Sequence, residues 1–426
     1  MRTLYICYFG LREPLVQTQV LPYLRQLGEA GIEVSLLTFE PNLKESWPRE
    51  EADAWRARLR ADGIRWLSLA YHKRPSVPAT AYDILTGARL AARLVRREGI
   101  EVLHARSHVP LAMALLAQRW TGCRLVFDIR GLMAEEYVDA GVWTDDSPPF
   151  RAIKRIERAG IRRADQLVVL TRRMRDWLVR QGLKSAGDIE VIPCCVDFSR
   201  FDEAEEGEAT KPSTDRFEVV YAGSVTGLYM LEEMGRFFLE LKKEQAGALL
   251  RIMTTSSPTD AANTLTRIGL EAEDFWVGAA QPAEVPSILR RARLGLSFRK
   301  RTFSQIAASP TKIPEYLAAG LPVVCNAGIG DTDDLLVSER VGVVVENLEA
   351  EAYREAARAA LELSRDAGIR TRSIAAARRH FDLREVGGAG YLSVYRRIEE
   401  SNKEKAVGRK GSMPSSSSEP SARDAR

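Results

Sequence analysis

Long apolar runs are missing from this chain of 426 residues. The longest stretch without a charge, residues 316–330, is interrupted by Gly320 and Pro322 and falls short of a bilayer span. The apolar run before Arg12 and Glu13 is too short for a secretory signal, so a cytoplasmic protein is expected. Charge of one sign is missing too. Sixty-two basic residues stand against 58 acidic ones, a net of +4, which carries no global signature of nucleic-acid binding. The five cysteines (Cys7, Cys123, Cys194, Cys195 and Cys325) are odd in number and lack CxxC spacing. Buried thiols in a reducing compartment are expected, without a disulfide or a zinc site. No strand leads into a G-x-G-x-x-G turn, which argues against a dehydrogenase. No Asp-x-Asp cluster sits at a strand end, since Asp145-Asp146 and Asp333-Asp334 are adjacent pairs, so no metal is expected.

What is present is alternation. Short buried strands at 4–7, 34–38, 66–69, 102–104, 125–127 and 167–170 are separated by helix-like segments such as 17–30, 82–97 and 111–120. A second set reads as strands at 219–221, 249–253, 275–277, 294–298 and 323–325. Runs such as Leu167-Val168-Val169-Leu170 are apolar on both faces, as a parallel sheet requires. The acidic stretch 202–215 lies between the two sets. The pattern predicts an α/β chain with two doubly wound domains, 1–200 and 201–382.

The most informative run is Ser309-Pro310-Thr311-Lys312-Ile313-Pro314-Glu315, continuing to Gly320-Leu321-Pro322-Val323-Val324. Pro310 suits the opening of a helix, Gly320 ends it, and Pro322 precedes a strand. A cation such as Lys312 at the helix start suits a diphosphate, and Glu315, one turn on, suits a ribose diol. The alternative is an ordinary amphipathic helix with a solvated Lys and Glu. Open α/β sheets bind ligands at strand C-terminal ends, where the first domain places Gly10, Arg12, Arg106, His108, Asp128 and Arg130. Arg106 and Arg130 would clamp an acceptor and Asp128 would orient one of them, or Asp128 and Arg130 would form a pair that fixes the loop. His104 reads as a core residue. In the second domain, Gly223 and Gly227 would allow close backbone approach to a phosphate, with Ser224 as a hydroxyl donor. Arg299 and Arg301 would add positive potential, or belong to a solvated charge run.

In order along the chain, these motifs resemble the family-four glycosyltransferases, which have the two-domain GT-B fold. The resemblance spans about 4–395. It is carried by the 309–324 run, Glu13-Pro14-Leu15-Val16-Gln17-Thr18-Gln19, Phe127-Asp128-Ile129-Arg130-Gly131 with Glu136 and Trp143, and Val191-Ile192-Pro193-Cys194-Cys195-Val196-Asp197 with Phe201. Several of these are similar to a bacterial polysaccharide subgroup. The resemblance implies two Rossmann-like domains facing a cleft, with a last helix, 383–400, crossing back to the first. It also implies transfer of a sugar from a nucleotide diphosphate donor to a glycan or lipid-linked acceptor, with retention of configuration. Gly223, Ser224, Arg299, Ser309, Thr311, Lys312 and Glu315 would hold the donor. Arg106, Asp128 and Arg130 would be the catalytic group, with Gly10, Arg12, His108 and Glu136 on the acceptor side. Three features depart from the family pattern. No basic residue lies in 223–231, Ala307 stands where the first of two glutamates is usual, and Arg130 replaces a histidine. A nucleotide-sugar epimerase and a non-catalytic nucleotide-sugar-binding scaffold are the alternatives.

Two outlying segments complete the reading. In 150–184, basic residues far outnumber Glu157, Asp165 and Asp176, and Phe150, Ile153, Ile156, Trp177 and Leu178 interleave with them. That pattern fits either peripheral contact with an anionic membrane or two ordinary surface helices. The tail, 401–426, is poor in large apolar residues and is expected to be disordered.

Overall fold

The computed structural model describes residues 1–202 and 216–411. Seven strands build the first sheet: β1 (Arg2–Cys7), β2 (Glu33–Pro41), β3 (Ile64–Tyr71), β4 (Val102–Arg106), β5 (Arg124–Asp128), β6 (Gln166–Val169) and β7 (Ile189–Val191). Their order is β3-β2-β1-β4-β5-β6-β7. Six more strands follow: β8 (Glu218–Ala222), β9 (Leu249–Met253), β10 (Phe275–Gly278), β11 (Leu294–Ser297), β12 (Val323–Asn326) and β13 (Gly342–Val345). They form a second sheet ordered β10-β9-β8-β11-β12-β13. Every ladder in both sheets is parallel. Strand order therefore reverses beside β1 in one sheet and beside β8 in the other, which opens a crevice at the C-terminal ends of β1/β4 and β8/β11.

Period-2 alternation explains why the strands read as continuous apolar runs. Leu4 and Ile6 pack on one side of β1, and Tyr5 and Cys7 on the other. In β12, Val324 and the pair Val323 and Cys325 divide in the same way. The two strands the sequence reading omits, β7 and β13, both lie at sheet edges. β7 has only three residues and ends at Val191, where the 191–197 run begins, and the first three residues of β13 are half-buried.

The chain crosses between domains earlier than residue 200. Val196, Phe198 and Phe201 already pack into the second core, with Ile313 and Tyr316. The returning strand of chain runs beside it: Val196 N donates to Phe381 O (2.8 Å) and Leu383 N to Val196 O (3.1 Å). Of the acidic linker, 203–215 lie outside the described residues.

A π-helical turn, Leu383–Gly388, opens the return and is capped by the Asp382 carboxylate on the amides of Arg384 and Glu385. Gly388 leaves room there for the Gln26 side-chain amide, which a Cβ would displace. The helix Ala389–Gly411 then buries Tyr391, Val394, Tyr395 and Ile398 against the first sheet. At roughly 1.5–3 kcal/mol for each buried apolar side chain, this face is enough to hold the helix in place. The helix also runs past Glu400 into the stretch expected to be disordered. Residues 401–407 contain no Pro or Gly, and Lys403 reaches back one turn to Glu399 (3.1 Å). Residues 412–426 lie outside the described ones.

Candidate functional site

The helix Lys312–Ala318 is set in place by Tyr316. Gly295, in β11, has no side chain, and a Cβ there would collide with the Tyr316 ring lying across the strand. The Tyr316 hydroxyl accepts the backbone N–H of Ala222 at the end of β8 (2.8 Å). Lys312, four residues earlier and on the same helix face, therefore points at the turn after β8.

There its ammonium lies against Gly223, where a Cβ would come within 3.3 Å of Nζ. It faces the rings of Tyr229 (4.2 Å) and Tyr221 (4.7 Å). The residue is 4% exposed, and Nζ has no hydrogen-bond acceptor or carboxylate partner among the described residues. Burial, reinforced by the charge of Arg299 and opposed by Glu315, pulls this ammonium down to about 7. Arg299 is a second cation at the same ring, 4.8 Å from the Tyr229 centroid. Its Nε donates to Gln305 Oε1 (2.8 Å) and its Nη1 to the Tyr229 hydroxyl (3.3 Å). Its backbone is clasped by Asn326, which accepts the Arg299 N–H and donates to its carbonyl, both at 2.8 Å. Two ordered cations thus lie side by side with neither hydrogen-bonded to a carboxylate among the described residues, Glu315 and Glu136 acting on them only from a distance.

Other expected donor residues are partly engaged elsewhere. Glu315 Oε1 accepts from Arg200 Nη1 (3.0 Å). Ser309 Oγ accepts the Cys194 N–H (3.1 Å), which ties it to the crossing segment. Thr311 is exposed and caps nothing with its side chain. The Ser224 hydroxyl pairs with that of Thr226 (3.2 Å), and Arg301 lies over Gly328.

The first domain departs from expectation at its central cluster. Asp128 is fully buried, and Arg106 nearly so. Tyr391, from the last helix, donates to Asp128 Oδ2 (2.8 Å), and Arg106 Nη1 lies 3.5 Å from the same oxygen. Arg130 Nη1 lies 3.5 Å from Oδ1, and its Nη2 points at Cys194 Sγ (3.4 Å). Burial alone would raise the Asp128 carboxyl, but Arg130, His104 and Arg106 reverse the effect and hold it well below the usual range. Buried His104 stays neutral, its pKa lowered by desolvation, and meets the Tyr395 hydroxyl (3.0 Å). Asp128 and Arg106 therefore do not rim the cleft. They sit beneath it and fasten the last helix to the sheet, and Arg130 reaches the crossing segment.

The acceptor-side residues disperse as well. His108 is buried, with Nε2 on Glu157 Oε2 (2.9 Å). Gly10 is buried against Glu40, and Arg12 lies outside, over the Trp47 ring (4.0 Å) and paired with Glu51. Glu136 does reach the interface. Burial raises its carboxyl, with Arg299 of the second domain pulling the other way.

The basic segment divides in two. Ile156 and Leu178 pack inward, Trp177 packs on Phe303 (5.6 Å), and Lys154 is held between Glu135 and Glu157. Ile156, Trp177 and Leu178 therefore do not form an outer face. Arg151, Arg155, Arg158 and Arg162 remain as an exposed stripe along the helix Pro148–Arg163.

Sequence reasoning missed Tyr229, Gln305, Asn326 and Arg200. None carries a local signal, because tertiary structure alone brings Tyr229 to Lys312, Gln305 and Asn326 to Arg299, and Arg200 to Glu315. Among the described residues no group of three or more His, Cys, Asp or Glu is arranged to hold a metal ion, and no helix is long and apolar enough to cross a membrane.

Residues 16–195 match the family model described as a glycosyl transferase 4-like domain. No curated protein sequence matches the chain. Among solved structures, sucrose-phosphate synthase from Thermosynechococcus elongatus superposes with a TM-score of 0.68 at 14% identity, covering 94% of this chain and 100% of that one. Anabaena HepE in complex with UDP and glucose gives 0.61 at 14% identity, covering 95% and 100%. A putative UDP-N-acetylglucosamine 2-epimerase from Listeria monocytogenes gives 0.57 at 14%, covering 94% and 97%. At this identity the likeness establishes the fold: the chain has the GT-B arrangement of two Rossmann-like domains.

Proposed function

We propose that this chain, a GT-B protein with a glycosyl transferase 4-like segment in its first domain, moves a sugar from a nucleoside diphosphate donor to a glycan or lipid-linked acceptor. One observation carries the reading: the buried, unpartnered Lys312 ammonium beside Arg299, under a turn that Gly223 keeps open. Leaving a largely buried cation without a paired anion costs the free protein stability. A diphosphate supplies the missing charge. The two cations would stabilise it most as it departs, when its negative charge is greatest. Transfer would retain configuration, with the leaving diphosphate taking the proton of the incoming hydroxyl on the same face. Since Lys312 and Arg299 carry out this neutralisation, turnover is expected to survive EDTA. Loss of activity in EDTA, restored by magnesium or manganese, would contradict that expectation.

Calorimetry with UDP and other nucleoside diphosphates tests the site. Binding is expected in the wild type and should be lost or strongly weakened in Lys312→Ala. Incubation with a donor panel then separates transfer from epimerisation and from binding without turnover. The Arg151–Arg155–Arg158–Arg162 stripe would bring the cleft to a lipid-linked acceptor at the inner face of a membrane. Sedimentation with anionic liposomes should pull down the wild type at low salt and lose the fourfold Arg→Gln variant. A wild type left in the supernatant would favour a soluble acceptor.

A further inference from the structure

On the rim of the first sheet, three residues outside the donor site form a fixed array. Asp83, fully buried in the helix Ser76–Glu98, accepts from the Tyr8 hydroxyl (2.7 Å) and from the His72 backbone N–H (3.0 Å) through Oδ2. Its Oδ1 meets His72 Nδ1 at 2.5 Å. Tyr8 directly follows β1 and His72 directly follows β3, so the array stands at the sheet end where this topology binds ligands. The Tyr8 ring is itself held by Phe39 and Tyr71, with centroids 4.9 and 5.3 Å away.

Fastening the loop needs only the Tyr8 hydroxyl and the His72 amide on Asp83. The second carboxylate oxygen does something else, which is to fix the orientation of the His72 ring. The hydrogen bond at one imidazole nitrogen sets what the other presents. That other nitrogen, Nε2, has no partner among the described residues, and the His72 side chain is 46% exposed. Tyr82 stands edge-on to the His72 ring (5.2 Å) and is 56% exposed, and Leu85, one helical turn on, is also exposed. An oriented polar atom beside an exposed aromatic ring matches a pyranose, which offers an apolar C–H face and a hydroxyl at its edge.

We propose that His72 and Tyr82 form an acceptor subsite for one pyranose ring of a neutral glycan, its C–H face on Tyr82 and a hydroxyl on His72 Nε2. The proposal rests on the transferase reading, since it names the acceptor of that reaction. Lys73 and Arg74 follow His72 on the surface. The rival occupant is therefore an anion, for which inorganic pyrophosphate is the probe.

Saturation-transfer NMR on the full chain with UDP present, using methyl glycosides of glucose, galactose, mannose and N-acetylglucosamine, tests it. At least one glycoside should receive saturation on its ring protons. The signal should fall about fivefold or more in His72→Ala and in Tyr82→Ala, while UDP affinity stays within about twofold. Both residues are exposed, so these variants should fold. The proposal is overturned if no glycoside is saturated, if both variants keep the signal, or if pyrophosphate displaces the glycoside. A glycoside that binds at Tyr82 while UDP binds nowhere would leave the subsite standing and remove the transferase reading instead.

Discussion

The two walls of the cleft share a topology and end in opposite electrostatics. At the switch point of the first sheet, Arg106 and Arg130 meet Asp128 and a tyrosine hydroxyl, and Asp128 and Arg106 are buried. At the matching point of the second sheet, Lys312 and Arg299 meet tyrosine rings, and neither makes a direct ion pair with a carboxylate among the described residues. A buried carboxylate held between guanidinium groups and a tyrosine hydroxyl has little left to offer a ligand. A cluster with uncompensated charge is costly until a ligand arrives. Under the proposed function, the difference gives the first wall's centre a structural role and the second's a binding one.

Asp128→Ala should break the comparison hardest. It leaves two buried guanidinium groups without their anion, an effect of roughly 3–5 kcal/mol on stability. Thermal denaturation should show a large drop, while UDP affinity, measured where the variant is still folded, should be unchanged. An unmoved melting temperature with impaired transfer would instead place Asp128 on the substrate. The folded Asp128 carboxyl is held below its usual value of 3.8, so its contribution is complete above that pH and fades as pH falls below it.

Lys312→Met should do the reverse. UDP binding is expected to weaken by roughly 1.5–3 kcal/mol, the worth of a charge-assisted contact, while the free protein holds or gains stability. The ammonium titrates near 7 in the fold and at 10.5 when unfolded. Between those values the unfolded chain binds more protons, so stability of the free wild type rises with pH over that window. Nucleotide affinity should fall as pH rises through about 7, because the neutral amine attracts no phosphate. Both slopes should vanish in Lys312→Met, which separates them from the nucleotide's own ionisation.

Tyr391→Phe sharpens the contrast at lower cost. It keeps the ring and removes one hydrogen bond to a carboxylate, worth roughly 1.5 kcal/mol. Denaturation should reveal the loss, with UDP affinity unaltered.

That tyrosine also shows where sequence reading stops. Asp128 at a strand end was legible, because apolar runs buried on both faces locate strands and their ends. Whether its side chain enters the cleft or lies beneath it depends on Tyr391, 263 residues away. The proposed donor pocket was more legible because its cation is positioned by local spacing: Lys312 lies on one helix face with Tyr316, between Pro310 and Gly320. Its aromatic lining was not, since Tyr229 lies in an irregular loop with no periodicity to mark it. The His72–Asp83 pair was hidden for the same reason as Tyr391, since strand β3 and the following helix meet only in the fold.

The smallest effect concerns Arg200 and Glu315. Their side chains are 27% and 24% exposed and 3.0 Å apart, so the pair itself is worth at most about 1 kcal/mol. Only Oε1 is engaged, which leaves Oε2 for the hydroxyls of a ribose. On that reading Arg200 is a positioning residue: Arg200→Ala should weaken UDP less than about fivefold and leave pyrophosphate untouched. Glu315→Ala should weaken UDP further, again sparing pyrophosphate, which has no ribose. If Arg200→Ala tightens UDP instead, the pair competes with the ribose for the carboxylate. If both variants weaken pyrophosphate as much as UDP, Glu315 acts through the charge of Lys312, whose proton it helps to hold. Paired titrations with the two ligands separate these cases. Such an outcome would reduce the uncompensated wall to a phosphate site alone, with nucleoside recognition elsewhere.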